Sequence, residues 1–472
     1  MEATAFELVP TLALVGAVIV IAALLSGVVE RTGVPQVAIF LALGAVLGPA
    51  GVAALHVQLE SEALRVVATL SLTLILFTDA LSLNLSEARE HRRLALLALG
   101  PGTLLSAVLY AGLAVWILDL PLPAAAILGA AVASTDPVLL KGLLRRRDLP
   151  AAARHALRLE SGLNDVVLLP VVLVAMVFAT GSAQRTDFAR LGLDLFLLGP
   201  AAGVAVGLVS LATLEMVRRR VGVRRDYESL YSLGVAFAAY AAAESVHGSG
   251  FLAAFAAGLT IAAFDVELCE CFKEYGETTA ELALLLTFVL LGSSLIWTGV
   301  GEASLASLAF AVLVLLGRPL VYYLALAAGR VDPTSRHLVA WFGPRGLSSL
   351  LLVLLPVFAG TPGSEELFRV TCLVVLLSVL LHGGALAWLA RRGEPEAATT
   401  EPGSVLIRAD ELATLRAAGE KVVVLDARAE AEWERRTEDP PEGVVRIAPD
   451  RPLEHVSALG LPPDAWLVLY CT

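Results

Sequence analysis

Two acidic clusters interrupt otherwise apolar sequence: Ser134-Thr135-Asp136-Pro137 and Glu160-Ser161-Gly162-Leu163-Asn164-Asp165. A bare carboxylate in hydrocarbon costs roughly 2.5–3.5 kcal/mol or more, so it persists where it faces a protein interior, a water-filled cavity or an ion path. On a helix, Glu160 and Asn164 share one face, and Ser161 and Asp165 share the neighbouring face. One face can bind an ion while the other holds the helix in place. Arg345, in Gly343-Pro344-Arg345-Gly346, is the expected partner of Glu160 in a structural ion pair, because an intramembrane arginine needs a fixed carboxylate. Asp165 is then the unpaired carboxylate. Burial disfavours its charged form, so a proton and a monovalent cation can compete for it. A hard cation needs several oxygens. The candidates are Ser161, the carbonyl near Thr135, water, and Asp79 in Leu76-Phe77-Thr78-Asp79-Ala80. Asn164 and Asp136 are also counted among the ion-binding candidates; Asp136 stands where half-helix N-termini would meet, its charge offsetting their positive ends.

The elements that must position these groups are membrane spans. Of 472 residues, 57% are hydrophobic and 17% charged, against a charged fraction near 25% in soluble domains. Windows of about 20 apolar residues predict thirteen spans near 8–29, 35–55, 62–83, 93–118, 122–143, 152–180, 188–216, 228–246, 249–265, 275–297, 302–328, 337–359 and 366–390. The N-terminal Met1-Glu2-Ala3-Thr4 lacks the basic region of a signal peptide and leads straight into the first span. Alternate loops carry the basic residues, among them Arg89, Arg92, Arg93, Arg145 to Arg147, and Arg218 to Arg220. The positive-inside rule makes those loops cytoplasmic, with the N-terminus outside and the C-terminal tail inside.

Two spans contain a proline break. Pro137 frees the carbonyl of Ala133, and Pro344 that of Ala340. They fall in the fifth and twelfth spans, the spacing expected of two inverted halves, and paired breaks of this kind point to a midplane site. The expected fold is an all-α polytopic membrane protein with inverted repeats, followed by a small α/β domain.

The Thr-Asp-Pro break and the Glu-Ser-x-x-Asn-Asp run resemble the monovalent cation:proton antiporters of the NhaP and NHE type. Further similar pieces are Ala243-Glu244 with His247-Gly248-Ser249-Gly250, Phe288-Val289-Leu290-Leu291-Gly292 after Glu281, Gly317-Arg318-Pro319, and Gly343-Pro344-Arg345-Gly346. They cover roughly residues 10–390. The resemblance implies a homodimer, a core that moves against a dimer-interface domain, and two broken helices that cross. It also implies that Asp165 exchanges a proton for Na⁺ or another alkali cation (K⁺ or Li⁺), assisted by Thr135, Ser161 and Asp79, with no cofactor. Asn164 before Asp165 matches the branch expected to be electroneutral. The sequence departs from the pattern at Gly162, where leucine is common, at Asp79, where some relatives have glutamate, and at Pro344-Arg345. These positions bear on ion preference. Arg318 reads equally as a paired arginine near a helix end or as a pH-sensing group.

The tail, residues 393–472, has 16 acidic and 8 basic residues, most of the net charge of −11, which argues against nucleic-acid binding. After a linker at 393–403, strands are predicted at 404–407, 421–427, 444–447 and 466–471, with helices at 409–418, 429–436 and 453–459. Alternating β and α elements suggest a small parallel sheet. Asp426-Ala427-Arg428, Glu442-Gly443-Val444-Val445 and Leu469-Tyr470-Cys471 resemble a rhodanese-like domain, incomplete over 404–472. Cys471 falls on that family's catalytic cysteine. Without a following cradle of N–H groups, no sulfurtransferase activity is expected. The other three cysteines, Cys269, Cys271 and Cys372, read as plain thiols. Other readings are a cation-selective channel or uniporter, in which H⁺ movement would be uncoupled, and a membrane-anchored sulfurtransferase, which has no need of carboxylates in broken spans.

Overall fold

The computed structural model describes residues 36–53, 55–83, 96–144, 149–180, 188–220, 225–264, 270–327, 332–392, 421–426, 444–446 and 466–470, with a few positions between 16 and 24. The chain divides into two compact units, Met1–Arg392 and Gly393–Thr472.

The first unit is helical. Its main helices are α1 (Gln36–Leu47), α2 (Glu62–Leu81), α3 (Leu104–Leu118), α4 (Leu122–Ala133), α5 (Pro137–Leu144), α6 (Ala151–Ala179), α7 (Gly199–Arg220), α8 (Arg225–Ser245), α9 (Gly250–Ala263), α10 (Glu270–Ser293), α11 (Leu305–Ala327), α12 (Pro333–Trp341), α13 (Leu347–Phe358) and α14 (Ser364–Arg392). π-helical turns at Ala98–Thr103 and Asp194–Leu198 precede α3 and α7. Among the described residues, eight helical segments are long and apolar enough to cross a membrane, and α1, α9 and α13 are shorter apolar helices. Helices stand at every predicted span except 8–29, which lies largely outside the described residues.

Packing separates the helices into two bundles. α1, α2 and α7 to α10 pack on one another, while α3 to α6 and α11 to α14 form the second group. They meet where α2 touches α6 and α13, and where the short helical turns between 295 and 301 touch α14. Small residues permit close approach within each bundle. A Cβ on Gly129 of α4 would strike the backbone of Ala107 and Ala111 in α3.

Two rods in the second bundle are discontinuous, each because proline withholds an amide donor. α4 ends at Ala133, residues 134–136 are extended, and α5 restarts on Pro137. α12 ends at Trp341, and α13 begins after an extended stretch at 342–346. Polar side chains settle other helix ends. Ser61, Ser249 and Asp332 cap α2, α9 and α12, each accepting a backbone N–H three residues on.

In the second unit, β1 (Val422–Asp426) lies between β2 (Val444–Arg446) and β3 (Trp466–Tyr470), all parallel. Val424 pairs with both Val444 and Val468. The other predicted elements of the tail, and Cys471, lie outside the described residues.

Candidate functional site

The two breaks cross and satisfy each other's stranded backbone groups. Asp136 N–H donates to the carbonyl of Pro344 at 2.9 Å. The Asp136 carboxylate then accepts from both restarted helices, Oδ1 from Val138 N–H at 2.9 Å and Oδ2 from Leu347 N–H at 2.8 Å. One negative charge therefore caps the N-termini of α5 and α13, where helix dipoles are positive. Asp136, expected among the ion-binding residues, is placed as this double cap. A Cβ on Gly346 would collide with the Asp136 carboxyl, which its two amide bonds hold in place. Gly346→Ala should therefore displace the crossing, cost about 1–3 kcal/mol by overpacking, and slow transport about tenfold, read as the initial exchange rate per folded protein.

The first break also relies on Arg345. Its Nη1 donates to the carbonyls of Ala133 and Ser134 at 2.5 and 3.0 Å, and its Nη2 to the Tyr110 hydroxyl at 3.1 Å. The Ala133 carbonyl is the one Pro137 leaves without a helical donor. This corrects the expected Glu160–Arg345 ion pair. Glu160 is fully buried and paired instead with Arg318, Nη1 to Oε1 at 3.1 Å and Nη2 to Oε2 at 2.9 Å. Tyr322 and Thr135 hydroxyls also donate to Glu160 Oε1, at 2.9 and 3.0 Å. The Arg318 guanidinium lies 3.9 Å from the Tyr322 ring centroid and donates to Val339 O at 3.1 Å. The physical reason is local. Arg345 sits in the second break, where bare carbonyls of the first are within reach; Arg318 projects from α11, which continues through Pro319, and reaches the Glu160 carboxylate. Arg318 and Tyr322 are four apart on α11 and share a face. That polar pair in an apolar run was the sequence signal for Glu160's true partners.

Thr135 and Asn164 form the next layer. Because the Thr135 hydroxyl donates to Glu160, it must accept from Asn164, whose Nδ2 lies 2.6 Å from Oγ1 and 3.4 Å from the Thr135 carbonyl. Asn164 thus ties α6 to the first break. Its Oδ1 is buried and has no hydrogen-bond partner among the described residues.

Asp165 lies one residue on, only 2% exposed. Ser134 Oγ donates to its Oδ1 at 2.5 Å, and Ser348 is a further polar neighbour. Neither serine was singled out as a site residue from the sequence, although Ser134 adjoins one break and Ser348 lies in the first turn of the helix after the other. Among the described residues, no cationic side chain bonds to Asp165. Asp136 and Glu160 are its charged neighbours.

Asp79 and Ser161 occupy a different place. Both line a cavity of about 100 Å³ together with Ser82, His155, Arg158 and Gly162. Asp79 is half-buried at the end of α2, and a Cβ built on Gly162 would meet its Cβ and Cγ at 3.9 Å. Ser161 lies one helical turn from Asp165, so the cavity reaches within a turn of the buried carboxylate. Its hydroxyl donates to the Arg158 carbonyl at 3.4 Å.

A family model, "Sodium/hydrogen exchanger, transmembrane", matches residues 17–392. The chain belongs to this family. It is a transmembrane cation:proton antiporter, not an enzyme. Among curated relatives, the K(+)/H(+) antiporter NhaP2 of Shewanella sp. (strain ANA-3) is 28% identical over 392 residues, covering 81% of this chain and 67% of the relative. The Na(+)/H(+) antiporter NhaG of Bacillus atrophaeus is 26% identical, covering 79% of this chain and 74% of that protein. The solved structure of the sodium proton antiporter MjNhaP1 from Methanocaldococcus jannaschii superposes with a TM-score of 0.67 at 20% identity, covering 82% of this chain and 99% of that one. At that identity the likeness establishes a shared fold. The exchanger region contains both breaks and every residue of the site described above.

Proposed function

We propose that this antiporter exchanges one monovalent alkali cation for one proton at Asp165, by alternating access. The observation that carries this is the contrast between two buried carboxylates on α6. Glu160 has a permanent counter-charge in Arg318, whereas among the described residues Asp165 is met by neutral hydroxyls, with Ser134 bonded to it and Ser348 beside it. A buried carboxylate without a counter-charge costs several kcal/mol. A proton or a metal ion relieves that cost, one at a time. Occupancy by either makes the site neutral, so only occupied forms reorient through the low-dielectric barrier.

Cation ligands would come from Asp165, Ser134, Ser161 and the unpartnered Asn164 Oδ1, with Asp79 drawing cations into the cavity. Thr135 and Asp136 hold the crossing. The basic loops on the side of Arg158 make this cavity the cytoplasmic mouth, with thirteen spans, the N-terminus outside and the tail inside. The bundle that bears the crossing is the mobile one. The helices α1, α2 and α7 to α10 are the scaffold through which two copies would pair. The C-terminal unit is rhodanese-like, a reading supported by its three parallel strands.

The neutral Asn164 beside Asp165 favours electroneutral exchange. In everted vesicles, dissipation of a pH gradient should follow addition of Na⁺ or K⁺ and be unchanged by an imposed membrane potential. The named relatives include both K⁺ and Na⁺ antiporters, so Li⁺, Na⁺ and K⁺ belong in the same series. Cation flux that proceeds without counter-movement of H⁺ would instead favour a channel.

A further inference from the structure

At the second break the chain loses one particular helical hydrogen bond. In a continuous helix Arg345 N–H would donate to the carbonyl of Trp341, four residues earlier. Here Arg345 N–H donates to Ser378 Oγ at 2.7 Å, and the Trp341 carbonyl lies 3.3 Å from His382 Nε2. Ser378 Oγ and His382 Nδ1 are themselves 3.1 Å apart. The two residues are four apart on α14, on one face, and both are buried.

Carbonyls face both ring nitrogens, that of Trp341 at Nε2 and that of Ser378 at 3.2 Å from Nδ1. A hydrogen on Nε2 serves Trp341 and leaves Nδ1 to accept from the Ser378 hydroxyl, which itself accepts from Arg345 N–H. In that tautomer a relay runs from Arg345 N–H through Ser378 and His382 to Trp341 O. It replaces the missing backbone bond and holds the ends of the extended segment.

The relay bears on transport because of what Arg345 does next. Its guanidinium holds the carbonyls of Ala133 and Ser134, and Ser134 Oγ donates to Asp165. We propose that Ser378 and His382 are positioning residues for the cation site, acting through the second break and Arg345 on the oxygen that Ser134 presents to Asp165. This rests on the assignment of Asp165 as the exchanging carboxylate, and the test separates the two.

The experiment measures exchange in everted vesicles against cation concentration for Ser378→Ala, His382→Leu, His382→Gln and the Ser378→Ala/His382→Leu double variant, with Asp165→Asn alongside. Ser378→Ala and His382→Leu should each raise the half-saturating cation concentration by about fivefold or more. Because both cut one relay, the double variant should be no worse than the poorer single. His382→Gln, which retains a donor toward Trp341, should recover part of the affinity. An unchanged half-saturating concentration in Ser378→Ala, which deletes a single hydroxyl oxygen, overturns the proposal even if His382→Leu fails to fold. Multiplying effects in the double variant also overturn it. Exchange by Asp165→Asn at the wild-type rate would remove the underlying reading instead, whatever the relay variants do.

Discussion

Asp165→Asn is expected to abolish cation-dependent proton movement, leaving vesicles that carry it indistinguishable from vesicles without the protein. The substitution keeps size and shape and still offers an oxygen to Ser134, whose hydroxyl bonds to Oδ1 at 2.5 Å in the native site. What it removes is the charge that a cation or a proton must neutralise. Folding should be unaffected or slightly improved, since a neutral amide is less costly to bury than an unpaired carboxylate. Thermal unfolding in detergent therefore serves as the control. Wild-type exchange by this variant would place the exchanging group elsewhere.

The second large effect concerns stability. Glu160→Gln and Arg318→Met each leave a fully buried charge without its partner, a loss of about 3–5 kcal/mol. The combined Glu160→Leu/Arg318→Met variant should recover much of it, because replacing a whole buried pair by apolar side chains is often near neutral. A double-mutant cycle on unfolding should show strong coupling between Glu160 and Arg318. Weaker coupling is expected between Glu160 and Arg345, whose guanidinium serves carbonyls and Tyr110. The reverse ranking would contradict the pairing seen here.

Much of this organisation was legible in the sequence. Pro137 and Pro344 marked both breaks, and the carbonyl that Pro137 strands is the one Arg345 serves. Asp136 was expected at the meeting of half-helix N-termini and caps two of them. The separation of Glu160 from Asp165 by helical face also corresponds to their different surroundings. What failed was the choice between two arginines for one glutamate. Spacing along the chain cannot rank Arg318 against Arg345, because Glu160 is 158 residues from the first and farther still from the second. The choice depends on which guanidinium the crossing draws toward bare carbonyls. Ser134, Ser348 and Tyr322 were missed for a related reason. Hydroxyls in apolar helices commonly bond to their own backbone, as Thr73 and Thr260 do, so their composition carries little signal until the crossing is assembled. Asp79 illustrates the converse: a carboxylate near a helix end is found lining the cavity beside Ser161 and Gly162.

The most direct test counts protons released as a cation binds. Calorimetric titration of the purified antiporter with Na⁺ or K⁺, in buffers of different ionisation enthalpy, yields the number of protons displaced per cation at each pH. Competition at Asp165 predicts that this number approaches one where the carboxyl begins protonated, falls toward zero at higher pH, and that the whole signal vanishes in Asp165→Asn. Saturable cation binding that displaces no proton at any pH would contradict the account.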